Sequence, residues 1–317
     1  MEQQKKEKRS AGERPFFSRP AAAACSAVLC TLLWGSAFPA VKTGYELFRI
    51  TSSVPDKLLF AGARFLAAGV LTLLALSFLQ RRPALPQKGE LPRMAALGLV
   101  QTAVQYFFFY IALSYSTGVK GSILNSAGTF LSILLAHFFF RDDRMTGQKA
   151  AGCLAGLAGI ILVNLGPGGL GGFDPLGDGL MLGAALFFAA GSLMSKQFAK
   201  SCSPVSLSGW QLTIGGGILT AAGLLTGGTL TPSGPQAVLM LAYLAFLSAA
   251  AFALWTLLLK YNPVGEISIF NALTPVFGVL LSGIFLGEDF LHLKNLAALL
   301  LVCLGIVLVN AKKPARS

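Results

Sequence analysis

The chain has 317 residues, 54% of them hydrophobic and 12% charged, and its mean hydropathy is +0.68. A soluble domain carries about 25% charge, and so apolar a chain would expose large greasy patches to water. A water-soluble fold is therefore excluded, and the lipid bilayer is the solvent. The net charge of +12 does not signal a nucleic-acid partner, because the basic residues flank apolar runs instead of covering one face. The cysteines Cys25, Cys30, Cys153, Cys202 and Cys303 form no CxxC pair, so neither a zinc site nor a disulfide framework is implied. No metal and no cofactor is expected.

Residues 1–20 form a basic tail containing "QQKKEKRS". The apolar segment behind it continues to Val41, longer than a signal core of about 7–15 residues, which reads as a retained anchor. About 20 apolar residues cross the ~30 Å hydrocarbon core as a helix. Ten stretches meet that length: 21–43, 57–79, 93–115, 119–140, 147–164, 178–200, 206–226, 236–259, 264–286 and 292–310. Turn signals such as "RRPALPQKGELP" and "TGGTLTPSGP" separate them. The runs are too long and too continuous for barrel strands.

Orientation follows from lysine and arginine, which accumulate on the cytoplasmic side. With the N-terminus inside, nineteen basic residues fall on the inner side and five (Lys42, Arg49, Lys57, Lys120, Lys294) on the outer, with Arg64 inside a span. Both termini are expected in the cytoplasm, in a multi-pass protein of the cell membrane.

"GIILVN" at 159–164 recurs as "GIVLVN" at 305–310, a shift of 146, and at that shift thirteen of the 42 positions from 123 to 164 are identical. Asn125 meets Asn271, Asp143 meets Asp289 and Asn164 meets Asn310. At a shift of 156, Gly35-Ser36 also meets Gly191-Ser192. The expected architecture is all-α: ten transmembrane helices in two five-helix repeats, 21–164 and 178–310. A Gly/Pro-rich linker, 165–177, joins them, and a short basic tail, 311–317, follows. Because each unit holds an odd number of spans, the second is inverted. Inverted repeats place a transporter's binding site near the midplane where the halves meet.

The segments "LLWGSAFPAVK", "FAGARFLAAG" and "LTPVFGVLLSGIFLGEDF" leading into "LAALLLVCLGIVLVN" give the chain its resemblance. It resembles the drug/metabolite transporter superfamily, in its EamA-type ten-helix form, over about 21–310. The first repeat departs from the pattern, with Thr129 and Arg141-Asp142 where the second has Pro275 and Gly287-Glu288. The resemblance implies a carrier of small organic molecules that exposes a central cavity to each side in turn.

Several residues are candidates for lining that cavity. Trp34 lies near the centre of the first span, away from the interfacial belts tryptophan favours; its indole offers a stacking face and one N–H, or simply packs. Gly35 and Ser36 permit close helix approach, and Ser36, like its mate Ser192, also offers a hydroxyl. Pro39 predicts a bend in that helix, and Phe38 adds apolar surface. Arg64, about 10 Å into the second span by helical rise, is a functional candidate by position. Three readings stand open for it: holding a substrate carboxylate, pinning a helix through backbone carbonyls, or snorkelling outward. Lys42 reads as an interfacial anchor, as do Trp210 and Trp255. The intramembrane amides Gln101, Gln105, Asn125 and Asn271 serve either as interhelical glue or as substrate contacts. Gly152, Gly156 and Gly159 read as a packing face.

Every acidic residue falls in a tail, a loop or a span end, so no carboxylate stands mid-membrane to relay protons or pair with a cationic drug. The expected function is that of a secondary transporter, an exporter or facilitator, of small metabolites such as amino acids. Efflux of hydrophobic cations is the alternative. An enzyme is not expected: no HExxH, GxSxG or intramembrane Asp pair occurs, and no GxxxxGK[ST] supports an ATP-driven pump. The lipid bilayer and a small-molecule substrate are the expected partners, with monomer and homodimer both open.

Overall fold

The computed structural model describes residues 16–139, 145–165, 172–262, 267 and 269–310. Most of the two basic tails, residues 166–171 of the linker, and Asp142, Asp143 and Glu266 lie outside the described residues. Within them the chain is all-α and multi-span. We number the helices α1 Pro20–Leu47, α2 Val54–Gln80, α3 Leu91–Tyr115, α4 Gly118–Phe139, α5 Gly147–Asn164, α6 Pro175–Phe198, α7 Pro204–Leu225, α8 Pro235–Tyr261, α9 Leu273–Leu286 and α10 Leu293–Asn310. Seven of these, α1 to α6 and α8, are long and apolar enough to cross a membrane. α7 is long but carries Trp210, Gln211 and three consecutive glycines, α9 is shorter, and α10, at 18 residues, equals α5 in length.

Helix starts follow local chemistry. Ser53, Thr117 and Thr146 accept from backbone N–H groups in the first turns of α2, α4 and α5, satisfying donors that the helix itself leaves unpaired. Prolines stand in the first turns of α1, α2, α7 and α8, where a missing N–H removes no helical bond. α1 continues as one helix through Pro39.

α2 packs along α7, α5 along α10, α1 against α8 and α9, and α6 against α3 and α4. Exchanging the first five helices for the last five maps this pattern onto itself. Glycine sets the closest approaches. A Cβ on Gly62 would meet the Thr220 nitrogen at 2.3 Å, one on Gly216 the Leu66 nitrogen at 2.2 Å, and one on Gly223 the Leu59 nitrogen at 2.7 Å. Contacts advance along α2 as they retreat along α7, so these two helices run antiparallel. The same holds for α5 and α10, where Gly152 faces Val309 and Gly159 faces Val302; the expected packing face of α5 is thus in use.

Two helices are broken where an uninterrupted span was expected. α4 consists of Gly118–Asn125 and Ala127–Phe139, separated at Ser126. There the Ser126 N–H donates to the Ile123 carbonyl at 3.2 Å, the Thr129 N–H to the Ser126 carbonyl at 3.0 Å, and the Ser126 hydroxyl also donates to Ile123. These are tightened i→i−3 turns, in which a serine side chain competes with the helical ladder. In the second half, a 3-10 turn Ile269–Ala272 precedes α9 at Leu273. Position 126 plus the repeat shift of 146 is 272, so the breaks coincide. Pro275 falls in the first turn of α9, where it costs no bond, and Thr129 occupies its place in α4. The break therefore does not depend on proline.

Candidate substrate cavity

A cavity opens where the halves meet. The empty space is about 820 Å³, counting what opens to its surroundings. α1 contributes Trp34, Ala37 and Phe38, one helical face at spacings of three and four. α3 contributes Gln105, Tyr106 and Phe109, and α4 contributes Ser122, Asn125, Ser126 and Thr129. Asn271, Thr274 and Pro275 close the wall from the start of α9, with Phe188 and Phe252 from α6 and α8. Both helix breaks thus lie on the cavity wall.

The π-helical stretch Gly98–Val104 precedes Gln105 in α3. An extra residue in a turn rotates everything after it by about 100°, which helps set Gln105, Tyr106 and Phe109 on the cavity. Gly98 lets this wide turn sit against α7, since a Cβ there would meet the Gln211 carbonyl at 2.8 Å.

Arg64 reaches the cavity from α2 and is 2% exposed, so it does not snorkel. Its Nε donates to the Leu244 carbonyl at 3.2 Å and the Ser248 hydroxyl at 3.0 Å, and an Nη donates to the Tyr110 hydroxyl at 2.9 Å. The guanidinium lies 4.7 Å from the Phe65 ring centroid, a cation–π contact. These contacts engage Nε and Nη1. A guanidinium has five N–H donors, so its remaining donors are open to an anion. Among the described residues the ion pairs are Lys42–Glu288 and Lys120–Asp178, and neither involves Arg64. Among the described residues, Arg64 is the one charged residue of the cavity wall.

Most intramembrane hydroxyls donate to a carbonyl of their own helix, as Thr72, Ser132 and Thr213 do at 2.6–2.8 Å. The cavity amides differ. Neither Asn125 nor Asn271 has a side-chain hydrogen bond to another described residue, and the Gln105 Oε1 is buried with no partner. Leaving such a group unmade costs about 1–3 kcal/mol, so these amides favour a polar occupant, whether water or ligand.

Of the nine residues singled out from the sequence, Trp34, Phe38, Arg64, Gln105, Asn125 and Asn271 line this one cavity. Ser36, Gln101 and Ser192 do not. The Ser36 hydroxyl meets Tyr243 at 2.6 Å and the Leu33 carbonyl at 2.8 Å, the Ser192 hydroxyl donates to the Phe188 carbonyl at 2.8 Å, and Gln101 is packed on Gly191. Gly35 is a contact glycine, with Phe277 Cβ 2.5 Å from where its own Cβ would stand. Trp255 packs on Trp34 with ring centroids 5.0 Å apart. Trp210 donates to the Ala84 carbonyl at 2.9 Å.

Beyond the cavity lies a polar clasp. Lys42, one turn past Phe38, pairs with Glu288 at 3.4 Å and donates to the Ser116 carbonyl at 2.8 Å. The same carboxylate accepts from the Gly118 and Val119 N–H groups, both at 2.8 Å, where the dipole of α4 favours an anion. Lys42 is thus not a simple interfacial anchor. Tyr106, Phe109, Phe188 and Phe252 escaped the sequence reading. A helical-spacing signal was available for Phe109, four residues past Gln105, and for Phe188, four residues before Ser192.

The sequence model of the EamA-like transporter family matches residues 21–165 and again 175–311. The chain belongs to that family. Members are transporters and not enzymes. The uncharacterized transporter YvbV of Bacillus subtilis is 27% identical over 290 residues, covering 90% of each chain. YetK of the same organism is 28% identical over 255 residues, 76% of each chain. A probable amino-acid metabolite efflux pump of Escherichia coli is 27% identical over 289 residues, 87% of this chain and 91% of that one. A crystal structure with a TM-score of 0.67 at 21% identity, covering 91% of this chain and 96% of that one, shares the fold.

Proposed function

We propose that this EamA-family protein is a secondary transporter, working as an exporter or facilitator, that carries small organic metabolites such as amino acids by alternating access at the central cavity. The observation that carries this reading is the wall itself: one guanidinium with uncommitted donors and three amides without internal partners, beside the rings of Trp34, Phe38 and Phe252. Such a surface suits a compact molecule with an anionic end, N–H groups and an apolar part. The name of the Escherichia coli relative points to the same class. A cavity whose one charge among the described residues is Arg64, with no carboxylate among them in its wall, is poorly suited to hydrophobic cations.

In this reading the chain crosses the membrane ten times, as two inverted five-helix units, 21–164 and 178–310. The antiparallel α2/α7 and α5/α10 pairs support it, as do the exchange-symmetric packing and the family match to each half. The nineteen-to-five distribution of basic residues favours both termini in the cytoplasm. Counterflow of radiolabelled amino acids into proteoliposomes tests the function. Uptake above empty liposomes, abolished by excess unlabelled substrate, is expected; equal counts in both across the twenty amino acids would remove amino acids as the cargo.

A further inference from the structure

Asn125 and Asn271 are equivalent residues, one from each half; Asn125 immediately precedes the break in α4, and Asn271 lies in the 3-10 turn that leads into α9. Both stand on the cavity wall without a side-chain hydrogen bond to another described residue. Gln105 presents a third amide to the same wall, its Oε1 buried and unpartnered. The wall therefore holds carboxamides without internal partners, each able to accept through its oxygen and to donate through its NH2 group. On the same wall, Arg64 keeps donors in search of an anion.

An ammonium group has three N–H donors and no acceptor, and the carboxamide oxygens of Asn125 and Asn271 can accept from it. Its charge is further favoured by ring faces such as that of Trp34. A carboxylate matches the planar fork of Arg64. A molecule with the carboxylate alone would leave the amides to water, and one with the ammonium alone would bring a cation beside Arg64. We propose, resting on the amino-acid reading above, that Asn125 and Asn271 are the specificity-determining pair that receives the ammonium end of a zwitterionic α-amino acid with an apolar side chain. Arg64 takes the carboxylate, and Trp34, Phe38 and Phe252 take the side chain. Because the two amides come from opposite halves at matching helix breaks, the ligand joins the halves at those breaks.

The test uses the full-length chain in liposomes, with counterflow of tritiated L-phenylalanine. 3-Phenylpropionate, which lacks the ammonium, and phenethylamine, which lacks the carboxylate, serve as competitors. L-Phenylalanine is expected to compete better than either fragment. Asn125→Ala and Asn271→Ala are each expected to raise the KM for phenylalanine about five- to tenfold, the loss of one hydrogen bond to a charged group. The half-inhibitory concentration of 3-phenylpropionate should stay unchanged, which shows the cavity intact. Arg64→Lys should weaken both. Asn271→Asp should make phenethylamine a better competitor by supplying a negative partner. The pair is overturned if the asparagine variants keep the original KM, or if they lose phenylalanine and 3-phenylpropionate in equal proportion. Absence of phenylalanine counterflow in the unmodified protein would instead overturn the amino-acid reading, and the pair with it.

Discussion

Lys42 and Glu288 meet at 3.4 Å across the α1–α9 boundary, and the Glu288 carboxylate also caps the first turn of α4 through Gly118 and Val119. Three helices from both halves are tied by one acid. Removing it leaves two N–H donors and a half-buried cation without their partner. Glu288→Ala is expected to cost about 2 kcal/mol and lower the thermal unfolding midpoint in detergent by several degrees. Glu288→Gln, whose amide oxygen still accepts from the helix, should lose less. A midpoint unmoved by Glu288→Ala would show the clasp to be incidental.

Neighbouring glycines in α7 give a sharper contrast. A Cβ on Gly216 would stand 2.2 Å from the Leu66 nitrogen, whereas one on Gly217 would meet nothing within 4 Å. Backbone cannot yield as a flexible side chain can, so Gly216→Ala must push α2 and α7 apart. Gly216→Ala is expected to reduce the yield of monodisperse protein severely and Gly217→Ala to leave it unchanged, as read by size-exclusion chromatography. Equal yields would mean the helices do not approach as closely as described.

Arg64 is aimed by residues on two other helices. Tyr110 and Ser248 each accept from it, at 2.9 and 3.0 Å, and neither belongs to the cavity wall. They are positioning residues. Tyr110→Phe and Ser248→Ala should each raise KM about three- to tenfold, one charged hydrogen bond being worth about 1–2 kcal/mol in such a setting, with maximal flux little changed. A fall in maximal flux at constant KM would assign them to a conformational step instead.

Much of this arrangement is written locally in the sequence. Trp34 and Phe38 share a face by spacing, Ser122, Asn125, Ser126 and Thr129 form a polar stripe at helical intervals, and the repeat pairs Asn125 with Asn271. Other features depend on what a side chain finds across the bundle. Ser36 and Ser192 look like ligands in isolation, yet a carbonyl one turn back is always within reach and takes the proton. Gln101 is taken up by the bare backbone of Gly191. Trp255 reads as an interface anchor from its place near a span end, but Trp34 on a neighbouring helix offers it a ring. The breaks at Ser126 and Ala272 were hidden because no proline or glycine marks both of them.

Trp34 packs against Phe252 and Trp255 at centroid distances of 5.9 and 5.0 Å and also faces the cavity, while Trp210 is bonded to the loop carbonyl of Ala84. A ligand that enters the cavity therefore perturbs the first indole and not the last. Saturable quenching of intrinsic fluorescence by substrate is expected. Trp34→Phe should remove most of it, and Trp210→Phe should leave it intact. Quenching that survives Trp34→Phe and disappears with Trp210→Phe would relocate the site toward the α2–α3 loop.

The opposed directions of α2 and α7 have a consequence for topology. Ser52, between α1 and α2, and Lys200, between α6 and α7, occupy equivalent loops of the two halves, and both are exposed. If the halves are inverted, these loops face opposite sides of the membrane. In a background lacking the five native cysteines, Ser52→Cys is expected to react with an impermeant maleimide on intact cells. Lys200→Cys and Gln87→Cys should react only after permeabilisation. Ser233→Cys, after α7, should behave like Ser52→Cys, since one further crossing separates it from Lys200. Labelling of Ser52→Cys and Lys200→Cys from the same side would require an even number of crossings between them, where α2 to α6 supply five. One of those helices would then lie outside the bilayer, and the cavity would lose the pairing of opposed halves on which alternating access depends.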